Sequence, residues 1–143
     1  MQNKRILFTN AEGGVSIVVP APGATLEQCV SAVPAGVSYE VVDVTDVPYD
    51  RTFRNAWKHD TSTSPEKVAV YMPKAQAITH EKRRAKRAAE FAPLDVEATI
   101  PSKAAAAEAA RQAIRDKFDA VQAEIDAAVS VDELKAVLVR EAL

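Results

Sequence analysis

Val47-Pro48-Tyr49-Asp50-Arg51-Thr52-Phe53-Arg54-Asn55-Ala56-Trp57-Lys58-His59-Asp60 is the densest collection of reactive and anchoring side chains in the sequence. Asp50, Arg51, Arg54, Trp57 and His59 fall close together there, while the other aromatics are scattered thinly. Three readings are open: an active site, a docking surface or a structural corner. Acyl-transfer or thiol chemistry needs a nucleophile, a base and an orienting group brought together. The supply is thin, because the only histidines are His59 and His80, and neither forms a recognisable motif with Cys29 or a serine. Asp43 and Asp46 could act as an acid and base pair, but acidic residues at a strand end are usually solvated. One cysteine and two histidines offer no zinc-ligand spacing, and neither a GxGxxG nor a GxxxxGK[ST] phosphate loop is present. The chain is therefore expected to be non-enzymatic, with no catalytic residues, no cofactor and no metal.

Elimination leaves the corner and the docking surface. Asp50 can cap a helical turn starting at Arg51, which would set Phe53 and Trp57 at i and i+4 on one face. The two rings would then close a small sheet. Exposed instead, Trp57 with Arg51 and Arg54 has the composition of an interface anchor. Asp50, Arg51, Phe53, Arg54 and Trp57 are thus candidate partner contacts.

The elements that must position this stretch can be read on both sides of it. Arg5–Thr9 and Val15–Val19 are β-prone runs joined by Asn10-Ala11-Glu12-Gly13-Gly14, where glycine supplies the positive φ of a hairpin. Thr25 offers a hydroxyl cap to a short helix with Leu26, Cys29, Val30 and Val33 on one face. Pro34-Ala35-Gly36 then turns the chain into a strand at Ser38–Val44. Residues 1–60 are expected to form a small α+β domain and residues 61–72 a linker or edge segment, with Val68–Tyr71 extended.

Residues 73–143 are expected to be helical, with helices at about 73–92, 102–129 and 131–142. Pro73 suits a first turn and Pro93 a stop. Ser102 is a plausible cap for the Ala-rich helix, and Ser130-Val131-Asp132-Glu133 has the capping-box pattern. The fold class is α+β: a β-hairpin/α/β unit followed by a helical hairpin or bundle. Ile114, Phe118, Val121 and Ile125 recur at spacings of four, three and four, forming one apolar seam. Either the neighbouring helices or the same helix of another copy must cover it, so these four residues are candidate contacts of a homo-oligomer.

At 143 residues, 48% of them hydrophobic and 27% charged, the chain can fill one modest core or a small domain with a helical appendage. A formal net charge of −2 argues against a dedicated nucleic-acid binder. The charge is uneven, however. Residues 73–92 carry 6 basic against 2 acidic residues, and residues 93–143 carry 6 against 10. Lys82, Arg83, Arg84, Lys86 and Arg87 make the basic run a candidate contact for nucleic acid or, more simply, a helix face neutralised by the acidic helices. The single cysteine fits a reducing compartment. No signal peptide or membrane span is readable at the N-terminus, so neither secretion nor a membrane partner is expected.

One resemblance covers nearly the whole chain. Arg5-Ile6-Leu7 with Gly13-Gly14-Val15-Ser16, Tyr39-Glu40-Val41-Val42-Asp43, Asp50-Arg51-Thr52-Phe53-Arg54-Asn55-Ala56-Trp57, Lys74 to Arg87, and Asp132-Glu133-Leu134-Lys135-Ala136-Val137 resemble small proteins encoded among the virion genes of tailed bacteriophages and prophages. The resemblance implies a non-enzymatic structural or assembly protein of the tail or its fibres, with other phage structural proteins as partners. It would be located in the virion, or in the host cytoplasm during assembly. A transient tail-fibre assembly chaperone, a head decoration protein, and a nucleic-acid-binding accessory protein using the basic helix are the alternatives.

Overall fold

A computed structural model describes residues 1–143, and it divides into two compact units, Met1–Tyr71 and Met72–Leu143. The fold is mixed α+β, with antiparallel strands first and helices after them.

In the first unit β1 (Lys4–Thr9) and β2 (Val15–Val18) form the expected hairpin. Its turn depends on Asn10: the Gly13 amide donates to the Asn10 carbonyl at 3.0 Å and the Gly14 amide to Asn10 Oδ1 at 2.9 Å. Gly13 supplies the positive φ, +80°, which a side chain would make costly. A short helix, α1 (Leu26–Val30), starts at Thr25, whose hydroxyl and the Gln28 side chain cap each other's backbone. β3 (Tyr39–Asp43) then pairs antiparallel with β1, giving the sheet order β2-β1-β3.

The segment expected to be a linker or edge segment belongs to this unit, and the extended run expected at Val68–Tyr71 is a strand. β4 (Trp57–Asp60) and β5 (Lys67–Val70) pair as a second antiparallel hairpin, with Trp57 opposite Val70 and His59 opposite Val68. This pairing also removes the helical turn expected after Asp50. The chain makes only a 3-10 turn at Arg54–Ala56, because Trp57 is already committed to the strand. Leu7, Val15, Val42, Trp57 and Val68 form one buried cluster, with Ile17, Val47 and Val70 packed against it.

The second unit is α2 (Met72–Glu97), α3 (Ala104–Ala127) and α4 (Val131–Arg140). α2 does not stop at Pro93. The proline lacks the amide that would bond the Ala89 carbonyl, a defect costing about 3 kcal/mol in a helix interior, yet the helix continues to Glu97. Its last turns are held against α3, where Arg111 Nε lies 3.2 Å from Asp95 Oδ1 and Lys117 Nζ 3.1 Å from Glu90 Oε1. α3 begins after Lys103, which makes no side-chain cap, rather than at Ser102. At its other end, Gln76 Nε2 donates to the Ile125 and Ala128 carbonyls at 3.2 and 3.1 Å. α4 has the expected Ser130 cap, its hydroxyl accepting from the Glu133 amide at 3.3 Å. Glu133 reaches back one residue further than a capping box requires, to the Val129 amide at 2.7 Å.

The seam is closed inside one chain. Phe118 and Ile125 are fully buried and Val121 nearly so, with Ala75 and Thr79 of α2 and Leu134, Val137 and Leu138 of α4 also buried in the unit. Ile114 is partly exposed. No helix is long and apolar enough to cross a membrane.

Candidate docking groove

The stretch from Val44 to Trp57 splits into an inside and an outside. Phe53 and Trp57 retain 2% and 3% of their exposure, so both rings serve the core. Arg54 lies over the Trp57 ring, its guanidinium 4.7 Å from the centroid. Asp50 folds the backbone before them: its Oδ1 accepts from the Thr52 amide at 2.9 Å and from the Thr52 hydroxyl at 2.6 Å. This local turn holds Arg51 out of the core, and Arg51 is exposed.

Upstream, Val47 packs against the buried cluster, while Tyr49 is 100% exposed. Arg5, Val44, Thr45, Val47, Pro48, Tyr49 and Arg51 line a groove of about 800 Å³. Arg5 is held in place from below, its NH1 donating to the Gln2 and Lys4 carbonyls at 2.8 and 2.7 Å. The lining thus combines two arginines, an unburied tyrosine and small apolar residues, with no carboxylate among them.

No family model, no curated protein and no solved structure matches the chain. The chemistry of the groove therefore has to be read from its own residues.

A second constellation lies on the first unit. Thr9 Oγ1 and His59 Nδ1 are 3.2 Å apart, with the donor set by the ring's tautomer. On the other side of the ring, His59 Nε2 lies 2.6 Å from Glu66 Oε2, although the contact lacks hydrogen-bond alignment. Hydroxyl, imidazole and carboxylate in this order resemble a relay for nucleophilic catalysis. Three amides of the turn after Thr9 are engaged, however: Asn10 N–H donates to the Gly14 carbonyl, and Gly13 and Gly14 both donate to Asn10, so none of the three is offered to a developing oxyanion. The His59 side chain is only 3% exposed, which makes it a tie between β1 and the second hairpin.

The basic run on α2 is not one surface. Lys82 and Arg84 are exposed and Lys86 and Arg87 are half-buried, with the Arg87 guanidinium 4.8 Å from the centroid of Phe91. Arg83 is buried and its Nε has no hydrogen-bond partner. Burial, followed by the charges of Arg84 and Arg87, lowers its pKa, while Asp126 and Asp119 oppose the shift. Helical periodicity is the reason, since Ala75, Thr79 and Arg83 follow one another at i+4 on the buried face.

Of the partner contacts expected from sequence, Asp50, Arg51 and Arg54 border the groove segment in the chain, and only Arg51 lines it. Phe53, Trp57, Arg83, Phe118, Val121 and Ile125 are buried within their own units. They support surfaces without presenting one, because each lies on the apolar face of its element. Tyr49, Arg5 and Val44 were missed. A tyrosine after proline in a run without apolar periodicity was the available signal for Tyr49. No group of three or more His, Cys, Asp or Glu side chains is placed to hold a metal ion.

Proposed function

We propose that the chain is a non-enzymatic bacteriophage structural or assembly protein, a component of the tail or its fibres, acting through contacts with other phage proteins made at the Val44–Arg51 groove. The observation that carries the contact is Tyr49, wholly exposed a few residues from two fully interior aromatics. A large ring left in water forgoes the free energy its burial would supply, on the order of 1.5–3 kcal/mol for a large apolar side chain. Tyrosine and arginine are also the residues that most often dominate protein interfaces. The segment is a firm platform as well, since Phe53 and Trp57 fix one end and Val47 the middle. The phage assignment rests on the resemblance of the Asp50–Trp57 stretch and its flanks. A homo-oligomer through the helical seam is not part of the proposal, because Phe118, Val121 and Ile125 are already covered in one chain.

Mass spectrometry of purified virions, beside affinity capture from infected cells, tests the reading. Stoichiometric presence in the particle is expected. Presence only in capture complexes with phage proteins would replace the virion component by an assembly chaperone. Capture of host proteins alone, with none of the chain in virions, would overturn the proposal.

A further inference from the structure

We propose that the groove takes an extended, acidic segment of a partner protein, with a carboxylate on the Arg5 and Arg51 pair and an apolar side chain against Val44 and Val47; this rests on the docking reading above and names the chemistry of its partner.

Charge is the first argument. Two other cations of this unit have partners: Lys4 Nζ pairs with Asp43 Oδ1 at 2.7 Å, and Lys58 sits 5.5 Å from the centroid of Tyr71. Asp46 and Asp50 are the acids nearest in sequence; Asp46 Oδ2 accepts from the Asp43 amide at 3.0 Å and Asp50 Oδ1 from Thr52, and neither lines the groove. The groove itself gathers two guanidinium groups and no acid. Arg5 is also pre-ordered, because the two carbonyls that hold its NH1 are neutral and fix the group without cancelling its charge. A fixed guanidinium loses little freedom on meeting a carboxylate, and its planar fork suits two parallel hydrogen bonds.

Backbone geometry is the second argument. β3 is terminal in the order β2-β1-β3, so its outer edge has no strand beside it, and it runs directly into the Val44–Asp46 turn that lines the groove. An edge strand leading into a side-chain pocket is the arrangement by which an added strand gains main-chain hydrogen bonds and side-chain selectivity together. Alternation in such a segment places every second side chain towards the same face, so the acidic and the apolar residue that both enter the groove stand two positions apart.

The test uses the full chain, labelled with ¹⁵N, and two synthetic blocked pentapeptides, Val-Ser-Glu-Ser-Val, which sets its glutamate and valines on one face, and its glutamine counterpart. Saturable shifts confined to the amides of Val44, Val47, Tyr49 and the β3 edge are expected with the glutamate peptide. The glutamine peptide should bind about tenfold more weakly, as loss of a charge-assisted contact implies. Arg51→Gln, whose side chain is exposed, should weaken the glutamate peptide by a similar factor while leaving the rest of the spectrum unchanged; Arg5→Gln is the companion variant. Equal binding of the two peptides at the groove would overturn the acidic partner and leave the docking surface standing. Shifts mapping to another surface, or none up to about millimolar peptide, would overturn the inference, and the virion and capture experiment then decides the docking reading by itself.

Discussion

Arg54 lies over Trp57, 4.7 Å from guanidinium carbon to ring centroid, with the indole buried. One cation shields one edge of the core, and the ring supplies area and a π-face in return. The stretch that looked most like an active site is thus half foundation, and its reactive-looking composition is partly the composition of a small core that has few aromatics to spend.

Trp57→Ala should destabilise the first unit by about 3–5 kcal/mol, the usual cost of emptying a buried aromatic site. Urea denaturation followed by circular dichroism measures this. A loss under about 1 kcal/mol would mean that the indole is not interior.

Tyr49→Ala should do the reverse. Stability should change by less than about 0.5 kcal/mol, as at other exposed positions, while capture of the proposed phage partner is lost. A thermal melt and a pull-down on the same preparation give both numbers.

Phe118→Asp combined with Ile125→Asp would put two charges into the closed helical interior. Burying an unpaired charge costs several kcal/mol, so helicity of the second unit should collapse while light scattering reports the same subunit count as the wild type. Dissociation of an oligomer into helical monomers would show instead that the seam joins copies.

Acid should loosen α4. Arg140 NH1 donates to Glu124 Oε1 at 2.8 Å, and this contact holds the Glu124 carboxyl below its ordinary value of 4.5. A lowered folded-state pKa contributes stability that is present above the ordinary value and is lost as pH falls through the folded one. Both side chains are exposed, so the effect is small. Melting curves of the wild type and Glu124→Gln should differ near neutral pH and converge below the carboxylate range; a constant gap would remove the pair as the cause.

Much of the fold was legible because it is written in local signals. Gly13-Gly14, Thr25, Ser130 and the spacing from Ile114 to Ile125 each specify a turn, a cap or a face within a few residues. Of the β4–β5 hairpin only the extended run at Val68–Tyr71 was, because the run from Asp60 to Pro65 is polar and aperiodic, and the pairing of Trp57 with Val70 is decided by a core assembled from distant strands. Pro93 misled for a similar reason: its local penalty is real, but contacts with α3 outweigh it. The Thr9, His59 and Glu66 alignment could not be read at all, since Thr9 and His59 lie 50 positions apart. At the groove, Arg51 was visible through its neighbours, whereas Arg5 joins it only after β1 and the Val44–Arg51 segment have folded together.

A photo-crosslinking amino acid placed at Tyr49, in cells producing the chain together with the phage proteins proposed as its partners, tests the docking surface most directly. Irradiation is expected to give a covalent adduct with one other phage structural protein, reduced by Arg51→Gln. Adducts with no phage protein, while the variant chain is folded and present at its normal level, would contradict a role for this groove in phage protein contacts.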